Sequence, residues 1–163
     1  MLTVKTAATT EPVSVAEVKA HLRVIHSEDD ALIESQIQSA RDHLEKALGR
    51  ALADSVFVYT GTLRALPIWP GTIQAIAGLE SDGVTWTPLG SEDYGYNADA
   101  NRIVGSAYTE HRIEFKADPG EVPEAVRDAI LLRVQADYEL GPDDGEKLRD
   151  AADRLAYPHR IFI

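Results

Sequence analysis

Cysteine is missing from all 163 residues, and the one methionine is Met1. Without a thiol there is no disulfide, no thiolate metal site and no cysteine nucleophile. Long apolar runs are missing too. None approaches the ~20 residues that a membrane-spanning helix requires. The opening Met1-Leu2-Thr3-Val4-Lys5 lacks the charged-then-apolar order of a secretory leader, so the expectation is a soluble, intracellular chain. Bases are scarce: 16 Lys and Arg stand against 27 Asp and Glu, a net charge of −11. Duplex DNA carries about one negative charge per 1.7 Å, so generic DNA binding is disfavoured. Passage of DNA past an acidic wall without sticking is not.

Catalytic signatures are equally scarce. The five histidines, His21, His26, His43, His111 and His159, include no pair at the four-residue helical spacing of a zinc protease. There is no phosphate-binding glycine loop and no nucleophile elbow. Asp143-Asp144-Gly145-Glu146 lacks the alternating ligands of a calcium loop. Bases and aromatics do not interleave as a nucleic-acid platform would need. No cofactor, metal or catalytic residue is therefore assigned.

What is present reads as a packed α+β chain. The apolar fraction is 44%, normal for a globular domain, and this length suffices to bury roughly 70% of the unfolded surface. Ser14-Val15-Ala16-Glu17 is a capping box that opens a short helix, fading near residues 23–26. Ser27 before Glu28-Asp29-Asp30 predicts a second helix start. Ile33, Ile37, Ala40, Leu44 and Ala47 form one stripe, and Gly49 supplies the left-handed stop. Between 54 and 117 the alternation, the prolines and Ser81-Asp82-Gly83 predict four to six strands with a tight hairpin. Pro123 suits the first turn of a third helix to about Leu140, and 143–156 forms a fourth.

Two stretches stand out. The third helix is apolar over most of its circumference, with Ala125, Val126, Ala129, Ile130, Leu131, Leu132, Val134, Ala136 and Tyr138. A helix of that kind is buried on more than one face: it is a central core helix, or one shared with a neighbouring subunit. Arg133 and Asp137, four apart inside this arc, are placed to pair with each other. The second stretch is the end, Tyr157-Pro158-His159-Arg160-Ile161-Phe162-Ile163. Burying each of its last three side chains gains about 1.5–3 kcal/mol, against about 1–2 kcal/mol per residue for ordering the backbone. One copy gains little; many copies around a ring gain through effective concentration.

The order of three segments resembles the phage head–tail connector (adaptor) family, in the branch of siphophage-like prophages and bacterial gene transfer agents. The first is Val15-Ala16-Glu17-Val18-Lys19-Ala20-His21-Leu22-Arg23-Val24 with Glu28-Asp29-Asp30-Ala31-Leu32-Ile33. The second is Gly49-Arg50-Ala51-Leu52, followed by Leu66-Pro67, Pro70 and Ile73. The third is Val122-Pro123-Glu124-Ala125-Val126-Arg127-Asp128-Ala129-Ile130-Leu131-Leu132. Tyr157-Pro158-His159-Arg160 is similar to the Pro-Tyr-Arg-like endings of the family. Leu48 departs from the aromatic that members often carry before the Gly-Arg pair, and residues 115–120 lack the family's Tyr-rich stretch.

The resemblance implies a non-enzymatic protein of the particle neck, made in the bacterial cytoplasm. It would form a twelve-fold ring below the portal protein, extend the DNA channel without reading sequence, and dock a stopper or tail-completion protein. Its partners would be the portal, the stopper, copies of itself and passing DNA, with no membrane. The expected layout is one adaptor domain, 1–163, with a helical core at 14–50 and 122–156, a β-rich insertion at 54–117 and an extended tail at 157–163. The tail residues Tyr157, Pro158, His159, Arg160, Ile161, Phe162 and Ile163 are the expected portal contact. Arg133, Asp137, Leu131 and Tyr138 are the expected inter-subunit packing residues. The alternative is a DNA-binding helix-turn-helix protein built on the first two helices, although the acids opening the second would face phosphates badly.

Overall fold

The computed structural model describes residues 1–62, 65–140 and 142–161, with the backbone alone at Pro142 and Asp143. The described chain is a mixture of four helices and seven strands. It divides into two compact units, a helical one of Glu11–Leu52 and Gly120–Ile161 and a sheet one built on Met1–Thr10 and Ala53–Pro119.

In the helical unit, α1 (Val15–Leu22) opens on the expected capping box. Ser14 Oγ accepts the Glu17 N–H at 3.2 Å, and the Glu17 carboxylate accepts the Ser14 N–H at 2.7 Å. Bonds to that carboxylate from the Ser14 N–H and the Ser14 hydroxyl, together with the Arg127 guanidinium, hold the Glu17 carboxyl below its ordinary pKa. Arg23, in the left-handed region at φ 59°, closes the helix.

The second helix, α2 (Asp30–Leu48), ends at Gly49 with φ 61°, a backbone conformation that glycine takes at no steric cost. Its start differs from the expectation. Asp29, not Ser27, is the N-cap, and it caps nothing with its side chain because its carboxylate accepts the Tyr138 hydroxyl at 2.6 Å. The buried stripe runs Ile33, Ile37, Ala40, Leu44 and then Leu48, with Ala47 exposed. A last step of four rather than three keeps the stripe on one face of a 3.6-residue helix.

The two later helices are α3 (Glu124–Glu139) and α4 (Pro142–Ala156). Val126, Ala129, Ile130, Val134 and Ala136 of α3 are buried, and Leu131, Leu132 and Tyr138 pack against the same cluster. The arc read as apolar nearly all round is thus filled by α1, α2 and α4 of the same chain. α4 comes near to α3 at Gly145, where a Cβ would stand 2.9 Å from the Ala136 carbonyl oxygen.

In the sheet unit six strands fall between 54 and 117, within the expected range: β2 (Val56–Gly61), β3 (Gly71–Leu79), β4 (Trp86–Pro88), β5 (Gly95–Asn97), β6 (Arg102–Val104) and β7 (His111–Ala117). A strand that the sequence did not announce, β1 (Leu2–Thr6), joins them. The sheet order is β1-β2-β7-β3-β4, antiparallel throughout, and β5 and β6 form a separate hairpin. Phe57 and Phe115 stack at its centre, 5.5 Å between ring centroids.

The tight turn before β4 is held by Asp82. Its carboxylate accepts the Thr85 hydroxyl at 2.6 Å and the N–H groups of Val84 and Thr85 at 2.9 and 2.8 Å. These bonds, that from the Thr85 hydroxyl first, lower its pKa to about 2. A depressed carboxylate pKa stabilises the turn above the unfolded value, and this support is lost as pH falls through the folded one. An NMR titration should therefore show Asp82 with a midpoint near 2, and a Thr85 amide whose protection against exchange, relative to its intrinsic rate, falls only below about pH 4. A midpoint at the ordinary carboxylate value would mean that the turn is not held this way.

Candidate assembly surfaces

The chemistry of the chain lies in how its surfaces are fixed. Arg133 and Asp137, expected to pair with each other, do not. Arg133 Nη1 donates to Asp153 Oδ1 at 2.8 Å, and Arg149 donates to Asp137 Oδ1 at 2.7 Å. Both partners lie on α4, which runs against this side of α3 and brings opposite charges closer than the next turn of α3 can. His43 of α2 approaches the same Asp153 at 3.5 Å. The Tyr138 hydroxyl donates a hydrogen bond to Asp29, an acceptor that raises the phenol pKa, and Leu131 packs on the core. These four residues brace α3 within its own unit.

A second polar cluster went unnoticed in the sequence. Arg41, on the inner side of α2, is only 4% exposed, and Glu45, one turn on, is 1% exposed. Arg41 Nε and Nη2 grip both oxygens of Glu11 at 2.7 and 3.2 Å. Its Nη1 reaches Asp42 at 2.8 Å and Glu45 at 3.1 Å. The other oxygen of Glu45 accepts the Leu52 N–H at 2.9 Å. Burial opposes the charge on Arg41, but the bonds and charges of Glu11, Glu45 and Asp42 outweigh it and raise the guanidinium pKa. The available signal was an i, i+4 Arg–Glu pair, indistinguishable in sequence from a solvated one.

Residues 157–161, expected to be extended, begin with a helical turn and are held in place. Tyr157–His159 make a single 3₁₀ turn after α4, the Arg160 N–H closes it on the Tyr157 carbonyl, and the Ile161 N–H donates to the Leu48 carbonyl at 2.7 Å. Tyr157 is 57% exposed, and Pro158 and Arg160 are exposed beside it. Phe162 and Ile163 lie outside the described residues.

The nearest approach to a catalytic pair is Ser106 Oγ at 2.7 Å from His111 Nε2. Both residues are buried, and the hydroxyl also accepts the Tyr108 N–H, so the pair ties up a loop. Among the described residues no group of three or more His, Cys, Asp or Glu could hold a metal ion, and no helix is long and apolar enough to cross a membrane.

The family model of phage gp6-like head-tail connector proteins matches residues 12–76. Solved structures agree over the whole chain. One titled as the neck of an empty gene transfer agent particle computed with C6 symmetry aligns at TM-score 0.68 and 23% identity, covering 100% of this chain and 97% of that one. Over this segment the chain is similar to head–tail connectors, and over its whole length it shares the fold of that neck chain. A chain from the neck of a native gene transfer agent particle computed with C12 symmetry matches this chain at TM-score 0.65 and 22% identity, and one from the virion of the native particle at 0.67 and 22%, with the same coverage. No curated protein matches.

Proposed function

We propose that the chain is a head–tail connector that works in the neck of a phage or gene transfer agent particle as a twelve-fold ring. The ring sits below the portal, lengthens the DNA channel and offers a docking surface to a stopper or tail-completion protein. One observation carries this reading: the connector family segment and the neck-particle fold coincide in one chain. The charge supports it, since a net of −11 repels DNA and keeps a channel slippery. The segment Tyr157–Ile163 makes the portal contact through its exposed turn. Leu131 and Tyr138 add lateral packing through their exposed edges, and Arg133 and Asp137 hold α4 in position for it. A structural role leaves no reaction to assign.

The helix-turn-helix alternative gains no support: Asp29 and Asp30 stand at the start of α2, spent on Tyr138 and Lys19, where a recognition helix would meet phosphates. Removing the connector's gene from its producing strain tests the proposal. The expected product is DNA-filled heads without tails, restored by the gene in trans. Intact tailed particles from the deletion strain would overturn it.

A further inference from the structure

One face of the five-stranded sheet is open to solvent. Alternation along β7 buries His111, Ile113, Phe115 and Ala117 and turns Arg112, Glu114 and Lys116 outward. The register sets Thr60 beside Arg112, Val58 beside Glu114, and Val56 and Thr72 beside Lys116. Lys5 of β1 reaches across to Glu114 at 2.6 Å, and the Arg112 guanidinium lies 4.5 Å above the Trp86 ring. Three cations thus surround a floor of half-buried Val56 and Val58, against one carboxylate on the strands. Asp54, beyond the edge, is near enough to sense Lys116. The parent unit carries nine acids and five bases, so this face runs against its composition.

The helical unit is the opposite case, with 18 acids and 11 bases. Where α1 gives way to α2, Ile25 is 97% exposed and Leu32 is 50% exposed. Asp29 and Asp30 are committed to Tyr138 and Lys19, while Glu28 and Glu34 are exposed around the apolar pair. Arg23, at the end of α1, and His26 are exposed here too, but Glu28 and Glu34 leave the elbow acidic on balance beside its apolar pair; the sheet face has an apolar floor and a basic rim.

We propose that in the assembled ring the open sheet face of one copy receives the α1–α2 elbow of the next. Ile25 and Leu32 lie on Val56 and Val58, and Glu28 and Glu34 face Arg112 and Lys116. The inference rests on the ring reading above. Two different, matching surfaces on one chain make a head-to-tail contact, the kind that closes into rings, whereas a self-matching patch gives a closed pair. Charges at such a rim set register and partner choice more than affinity, so each contact is weak and the closed ring collectively strong.

Charge exchange tests it. The variant R112E/K116E, confirmed as folded by its melting curve, should fall at least about tenfold in copies per purified particle, counted by quantitative mass spectrometry against the major shell protein. Adding E28K/E34K to the same chain should restore its incorporation, because every copy carries both surfaces. Normal incorporation of R112E/K116E overturns the inference. So does a loss that the fourfold variant does not repair, since the face then serves DNA, the portal or another partner. Wild-type chain missing from the neck would overturn the ring reading itself, and this contact with it.

Discussion

Replacing Arg41 with methionine is expected to destabilise the protein by about 3–5 kcal/mol, the loss typical when one partner of a buried ion pair is removed. The guanidinium spans Glu11, Asp42 and Glu45. Glu11 and Asp42 retain access to water. Glu45, at 1% exposure, does not, so the variant takes from its buried carboxylate a guanidinium that lies 3.1 Å away. Combining R41M with E45Q should recover more than half of the loss, because glutamine removes the charge while its amide oxygen still accepts the Leu52 N–H. Urea unfolding of the wild type and the two variants measures this. A cost below about 1 kcal/mol for R41M alone, the level of an exposed pair, would show that the cluster is solvated and not structural.

Deleting residues 157–163 should produce the largest functional effect: a folded chain that does not enter particles. The truncation removes the backbone bond from Ile161 to Leu48, worth about 1 kcal/mol net, and leaves α4 intact to Ala156 with Ala152 and Ala156 still in the core. Folding should therefore survive with only a small fall in melting temperature, while copies per particle drop to background. A truncated chain incorporated at the normal level would remove the portal contact from this segment. A chain that fails to fold would instead assign the tail to the helical unit's own packing; Y157S then separates the two, because Tyr157 is exposed and its loss leaves the core untouched.

The local features of this fold are written in neighbouring residues. The capping box at Ser14 and Glu17, the stop at Gly49, the stripe from Ile33 to Leu44 and the Asp82 turn each need only a few adjacent positions, and each is found where the sequence puts it. What was not legible depends on partners far along the chain. The first strand is five residues whose partner, β2, begins fifty residues later. Asp29 stands at the N-cap where Ser27 was expected, and its side chain is taken by Tyr138, more than a hundred residues on. Arg133 and Asp137 had the spacing to pair, but α4 supplied nearer counter-charges. The same limit applies to the assembly surfaces. The tail is visible as an apolar end, whereas the basic sheet face exists only once β1, β2 and β7 are set in register.

The central claim is that this chain acts by shape, as repeated copies at the junction of head and tail. Cryo-electron microscopy of purified particles, with the neck reconstructed at a resolution that shows side chains, tests it most directly. The account predicts twelve copies of this fold in a closed ring against the portal, with Tyr157 and its neighbours on the portal side. A neck whose density holds no copy of the fold would contradict it.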